Sequence, residues 1–336
     1  MREAVGLFDQ SSFAKFRLEG RDAMAVLNRV CANDVDVAPG KLVYTQWLNE
    51  KGGIEADLTV TRLSETAYLI VTGAETEIKD FNWLKRHTPD DAHAVLTNVS
   101  SGMGVISIMG PNSRELLQSI CPNDLSHEAF PFATSQEIEL GYAVVRASRI
   151  TYVGELGWEL YVSSDQTAHV FEALEEAGGD LGLKLCGLHT LDSCRIEKAY
   201  RHWGHDITDE DHVLEAGLGF TVSRKKAAFL GREAVLRKEE AGMDRRMLQF
   251  RLKDAEPLLF HNEALVRDGK IVGPVTSGNY GHFLGGAIGM GYVPCKGQSD
   301  EEILSSRYEI EVAGQRHEAV ASLVPMYDAK SERVRA

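Results

Sequence analysis

Lys51-Gly52-Gly53-Ile54-Glu55-Ala56-Asp57-Leu58-Thr59-Val60-Thr61 gathers two carboxylates and two hydroxyls on one side of a short run. After the glycine pair, Ile54, Ala56, Leu58 and Val60 alternate with Glu55, Asp57, Thr59 and Thr61, the period of a strand packed on one face. That face sets two carboxylates a step apart beside hydroxyls, a grouping that could do chemistry. Alternation alone favours a plainer alternative, a solvated strand face. In a second run, Arg149-Ile150-Thr151-Tyr152-Val153-Gly154-Glu155-Leu156-Gly157-Trp158-Glu159-Leu160-Tyr161, the strand breaks at Gly154 and exposes Glu155 at a turn. It then resumes through Trp158 and Leu160. One carboxylate can accept from a two-donor edge in bidentate fashion, although turn carboxylates are commonly surface residues. Glu159 points the same way along the strand and reads as structural.

A third group is Leu191-Asp192-Ser193-Cys194-Arg195-Ile196-Glu197, followed by Arg201-His202-Trp203-Gly204-His205-Asp206. Arg195 offers a cation, with helix-surface pairing to Asp192 or Glu197 as the alternative. His202, His205, Asp206 and His212 match no zinc-ligand spacing, so no metal is expected.

The positioning elements show an internal repeat. Shifted by ninety residues, Phe16-Arg17-Leu18-Glu19-Gly20 falls on Ile106-Ser107-Ile108-Met109-Gly110, and Cys31-Ala32-Asn33-Asp34-Val35 falls on Cys121-Pro122-Asn123-Asp124-Leu125. Each copy reads as a strand, a glycine turn and an amphipathic helix, with Pro111 suited to the first helical position of the second copy. The spacing fits two related α+β units better than a solenoid. Further elements are a buried strand at Tyr68–Val71, helices at 75–87, 166–177 and 189–199, and strand pieces around Gly141. From about Met247 the texture changes to short alternating segments with Asp-Gly turns, the pattern of a β-domain. The last residues, 329–336, read as a frayed polar tail.

The 336 residues allow two or three domains, and 43% hydrophobic with 26% charged residues is an ordinary globular composition. A formal charge of −14 disfavours nucleic acid and anionic membrane as main partners. Five cysteines without a CxxC pair fit free thiols in a reducing compartment. With no N-terminal apolar h-region and no run of ~18 apolar residues, a cytoplasmic location is expected. No GxGxxG follows a strand, so no bound FAD is expected in this chain.

The Gly52–Thr61 run resembles the segment of the glycine-cleavage T-protein (aminomethyltransferase) family that holds the catalytic aspartate beside tetrahydrofolate. Asp57 takes the catalytic place, and Ala56 stands where many members carry a further Asp. The Tyr152–Glu159 run resembles the family's "GYTGE.G.E" motif, which implies that Glu155 reads the pterin with Tyr152 beside it. Arg195 matches the arginine of "D.LR.E" and implies a folate-side cation. Phe220 stands where T-proteins carry a folate-stacking Trp, and Tyr44 joins this implied folate-binding set. Glu197-Lys198-Ala199-Tyr200-Arg201-His202-Trp203-Gly204-His205-Asp206-Ile207 resembles sarcosine and dimethylglycine dehydrogenases more than T-proteins proper. Ala228 and Arg232 depart from the "KGCYxGQE" of the iron–sulfur branch. Thr276-Ser277-Gly278 and Gly289-Met290-Gly291-Tyr292-Val293 resemble the family's barrel signature. Val71-Thr72-Gly73-Ala74 replaces "VSNA", and Val312-Ala313-Gly314-Gln315 lacks the C-terminal arginine. Both departures count against a lipoyl-protein role.

The resemblance implies an α+β fold of two interleaved ferredoxin-like units plus a C-terminal β-barrel, arranged as a cloverleaf. The implied division is 1–245 for the folate-binding aminomethyltransferase-like region and 246–336 for the barrel. The implied activity moves a methylene or imine unit from an N-methyl amine or glycine-derived donor to tetrahydrofolate, giving 5,10-methylenetetrahydrofolate. A methyl transferase acting on an S- or O-methyl donor and a non-catalytic folate-binding protein are the alternatives. A separate flavoprotein dehydrogenase is a candidate partner.

Overall fold

The structure is a computed structural model that describes residues 1–336. The chain lays down β1 (Val5–Asp9) and leaves it at once to build a separate layer. That layer comprises β2 (Ala14–Glu19), α1 (Ala23–Val30), β3 (Leu42–Leu48), β4 (Ile54–Ser64), β5 (Ala67–Thr72), α2 (Glu77–His87) and β6 (Val95–Asn98). It then returns through β7 (Met103–Met109), α3 (Ser113–Ile120), β8 (Ser135–Leu140), β9 (Ala143–Ser148), β10 (Gly157–Ser163), α4 (Thr167–Gly178) and β11 (Leu183–Leu185). The sheet closer to the N-terminus in sequence order is β3-β4-β5-β2-β6, and the other is β11-β1-β7-β10-β9-β8.

Apart from the extra edge strand β3, the first of these follows a βαββαβ course with order β4-β5-β2-β6. The second repeats that course from β7. The place beside β7 that its own last strand would take is filled by β1, which pairs antiparallel with β7 and parallel with β11. The two units are therefore interleaved, as expected. The ninety-residue shift carries helix Ala23–Val30 onto Ser113–Ile120 residue for residue. Pro111 lies before the N-cap Asn112 and not at the first helical position.

The turns match as well. Gly20 and Gly110 have φ of 142° and 135°, and a Cβ on either would meet a carbonyl oxygen, His93 O at 2.0 Å or Ala4 O at 2.4 Å. Only glycine fits both demands. Gly110→Ala is expected to destabilise the protein by roughly 1–3 kcal/mol in denaturant melts, and an unchanged midpoint would count against the turn's role.

Each sheet covers its outer face with its own helices. Leu27, Val30 and Leu84 pack on Phe16, Ala56 and Leu58 in one unit, and Leu116, Leu117 and Leu174 pack on Trp158 and Leu160 in the other. The inner faces meet through Leu69 and Val71 of β5 against Val105 of β7 and Tyr161 of β10. The second face of β4 is thus half-buried between sheets and is not a solvated face.

α5 (Leu188–Glu197) and α6 (Arg232–Ala241) lead to the barrel. It is built from β12 (Arg245–Leu252), β13 (Ala264–Arg267), β14 (Lys270–Gly281), β15 (Gly286–Pro294), α7 (Asp300–Ser305), β16 (Tyr308–Val312) and β17 (Gln315–Ser322). The barrel closes in the order β12-β15-β14-β13-β16-β17. The tail is not frayed. It ends in α8 (Glu332–Arg335), Val334 is buried, and the Ala336 carbonyl accepts from Arg114 at 2.8 Å. No helix is long and apolar enough to cross a membrane.

Candidate active site

Asp57 lies directly opposite Gln46 in the β3–β4 pairing, and Tyr44 lies opposite Thr59 on the same face. The Gln46 carboxamide donates to Asp57 Oδ1 at 2.7 Å. Its own oxygen accepts from the Thr221 hydroxyl, which fixes the amide's orientation. The Tyr44 hydroxyl lies close to the same carboxylate. Burial pushes Asp57 up from 3.8 to about 6. The Gln46 amide and the nearby Tyr44 hydroxyl, with the charges of Arg201 and His202, pull the other way and limit the rise. The result is a carboxylate poised to change charge near neutrality.

Aromatic faces surround it. Tyr44 and Phe220 have ring centroids 6.3 Å apart, and Phe220 is 75% exposed, so its face is open for stacking. Tyr152 stacks on Tyr200 at 6.0 Å and donates its hydroxyl to the Arg201 carbonyl at 2.7 Å. Tyr152 also lies within charge range of Asp57 and Tyr44. Asp57, Tyr44, Phe220 and Tyr152 are thereby brought together.

Glu155 and Arg195 are not free in the way expected, because both are buried and already paired. Glu155 is 1% exposed. Its Oε1 accepts from Arg2 at 3.0 Å and from the Tyr327 hydroxyl, while Arg333 lies 3.3 Å from Oε2. A carboxylate so occupied has no bidentate face left for a heterocycle. Arg195 is 2% exposed and gives its donors to Asp192 (2.7 Å), Asp206 (2.6 Å), Ser277 (2.9 Å) and the Tyr200 carbonyl (3.2 Å). It braces α5 against the barrel and the His202–Asp206 loop instead of presenting a cation to a ligand.

Several residues escaped the sequence reading. Glu159 follows the β10 alternation onto the inner face, two residues before Tyr161, which packs on the β5 side chains. Only the Tyr161 hydroxyl donates to it, at 2.5 Å to Oε2, and burial raises its pKa. It is the inner-face carboxylate with an oxygen to spare. Gln46 and Thr221 carried no signal beyond being polar. Arg201 and His202 lay in a quoted motif without an assigned role. His202 faces Glu75 at 3.3 Å and His205 at a ring distance of 4.7 Å. No group of three or more His, Cys, Asp or Glu side chains is placed to hold a metal ion.

Comparison with known proteins fits this architecture. Residues 1–226 match the GCVT N-terminal domain, and residues 245–328 match the glycine cleavage T-protein C-terminal barrel domain. The 4-methylaminobutanoate oxidase (formaldehyde-forming) of Paenarthrobacter nicotinovorans is 43% identical over 335 residues, covering 99% of this chain and 40% of that protein. Human mitochondrial sarcosine dehydrogenase is 38% identical over 355 residues, covering 99% of this chain and 38% of its own length. The chain thus spans about two fifths of the length of these curated relatives. The crystal structure of glycine cleavage system aminomethyltransferase T from Bartonella henselae matches with a TM-score of 0.85 at 25% identity, covering 98% of this chain and 88% of that one. Two domain matches in order, a shared fold and relatives along nearly its full length show that the chain belongs to the glycine cleavage T-protein family.

Proposed function

We propose that the protein is a tetrahydrofolate-dependent one-carbon transferase, taking a methylene or imine unit from a small N-methyl amine-derived donor. The observation that carries the reading is Asp57, half-buried between Gln46 and Tyr44 beside exposed aromatic surface. The residues present fit a reduced pterin. Glu159 is a buried carboxylate with one protein partner on the inner face, suited to a donor edge, and Tyr44, Tyr152 and Phe220 offer flat surfaces. Tetrahydrofolate, when bound, supplies the amine nitrogens that take up the one-carbon unit.

The chain's own residues would hold and polarise. Gln46, locked by Thr221, fixes the Asp57 carboxylate, and the carboxylate stabilises positive charge on an iminium donor. The inter-sheet burial that raises Asp57's pKa also strengthens that interaction, because water screens it less. The names of the two relatives, a formaldehyde-forming oxidase and a sarcosine dehydrogenase, support an oxidised N-methyl amine as donor and a flavoprotein dehydrogenase as its source. Calorimetry with tetrahydrofolate should give saturable one-site binding. No heat at millimolar folate, with the fold intact, would remove the reading.

A further inference from the structure

Three stretches far apart in sequence converge on the loop that carries Tyr152. Arg2, near the N-terminus, donates to the Val153 carbonyl at 2.9 Å, to Glu155 at 3.0 Å and to the Cys194 carbonyl at 3.0 Å. It also donates to Glu197 at 2.7 Å. Its guanidinium lies 3.7 Å from the centre of the Tyr327 ring. Tyr327, from the C-terminal segment, gives its hydroxyl to Glu155 and its backbone N–H to the Glu197 carbonyl at 3.2 Å. Arg333 reaches the Tyr327 hydroxyl at 2.6 Å and closes on the second Glu155 oxygen. From below, Lys198 pairs with Asp328 at 3.1 Å, and its alkyl stem passes so close to Gly154 that a Cβ there would sit 2.9 Å from it.

We propose that Glu155 is a positioning residue, the keystone of a clamp in which Arg2, Tyr327 and Arg333 hold the 150–157 loop and so set the placement of Tyr152 in the site. Glu155 is the only side chain of that loop that ties it to both ends of the chain through charge-assisted hydrogen bonds. Such bonds are short and directional, so they fix an orientation as well as a distance. Tyr152 stands three residues away with its hydroxyl on the Arg201 carbonyl, and the loop between them has no helix or strand of its own to hold its shape. The clamp supplies the order that regular structure does not. That Tyr152 then meets folate rests on the function proposed above, whereas the clamp itself does not.

Two variants test it, Glu155→Gln and Tyr327→Phe, each checked for its thermal midpoint. Hydrogen exchange on the protein without ligand is the first measurement. Both variants should speed exchange at least tenfold in residues 150–157 and leave the β2–β6 sheet and the barrel protected as in the wild type. Unchanged exchange in that loop, or a loss of protection spread evenly over the protein, would overturn the clamp. The second measurement is tetrahydrofolate affinity by calorimetry. Tyr327→Phe keeps the Glu155 carboxylate and frees one of its lone pairs. If Glu155 were itself a ligand, this variant would bind folate as well as or better than wild type while Glu155→Gln lost affinity. The clamp predicts that both lose affinity together, by about three- to tenfold. Should wild-type protein bind no folate, the functional reading falls, and the exchange result still decides the clamp.

Discussion

Asp57→Asn is expected to lower one-carbon transfer roughly a hundredfold or more, the scale of losing one preorganised electrostatic group, while tetrahydrofolate affinity changes little. Asn keeps the shape and can still engage Gln46 and Tyr44, so the packing of β3 against β4 survives. What it loses is the charge that meets a cationic donor in the transition state. Wild-type activity should fall as the pH drops through about 6, where Asp57 takes up its proton. The variant's residual rate should lack that limb.

Stability should move the other way. The native state holds this proton more tightly than the unfolded chain does, because the folded pKa is raised. The protein therefore loses Asp57's contribution as the pH rises from about 4 to about 6, and above that range it carries a buried charge at a net cost. Asp57→Asn should recover about 1–2 kcal/mol above pH 6, after allowance for partial exposure, and nothing below pH 4. Measured rates within a few-fold of wild type would return Asp57 to the role of an ordinary strand carboxylate.

The second large effect is expected at Glu159. Charge-assisted hydrogen bonds contribute about 1.5–3 kcal/mol each, so Glu159→Gln should weaken tetrahydrofolate binding about ten- to a hundredfold. The amide presents a donor where an acceptor is needed, yet it can still receive the Tyr161 hydroxyl. Folding should be unaffected or improved, since a buried carboxylate with a raised pKa is removed. Calorimetry at pH 7.5 separates the outcomes. Full affinity in this variant would mean that the pterin is read elsewhere.

Much of the architecture was legible because it is periodic. The β4 alternation, the amphipathic helices and the ninety-residue repeat all depend on local spacing, and the helices of the two copies coincide at both ends. Site placement was legible where a side chain's strand face follows from alternation, as for Asp57 on β4. It failed where the role depends on which distant residue arrives as a partner. Glu155 stands in a turn and looked free, but its partners come from Arg2 and Tyr327, 153 and 172 positions away. Arg195 looked like a helix-surface cation, and only the return of the barrel beside Ser277 buries it. Glu159 was discounted because alternation tells which residues share a face and not whether that face meets water or a second sheet.

The borrowed place of β1 has a consequence for how the protein is made. β1 ends at Asp9, but its partner β7 is complete only at Met109, and β11 follows at Leu185. At synthesis rates of about 5–20 residues per second, β1 waits roughly 5–20 seconds for an antiparallel neighbour. During that interval the β2–β6 sheet can form on local contacts, with a free apolar strand tethered at its start. Because loop closure grows slower as pairings become distant in sequence, the interleaved sheet is expected to be the slow step. Val5, Leu7 and Phe8, fully buried in the finished protein, are then the residues most exposed to wrong pairing while the chain is still growing.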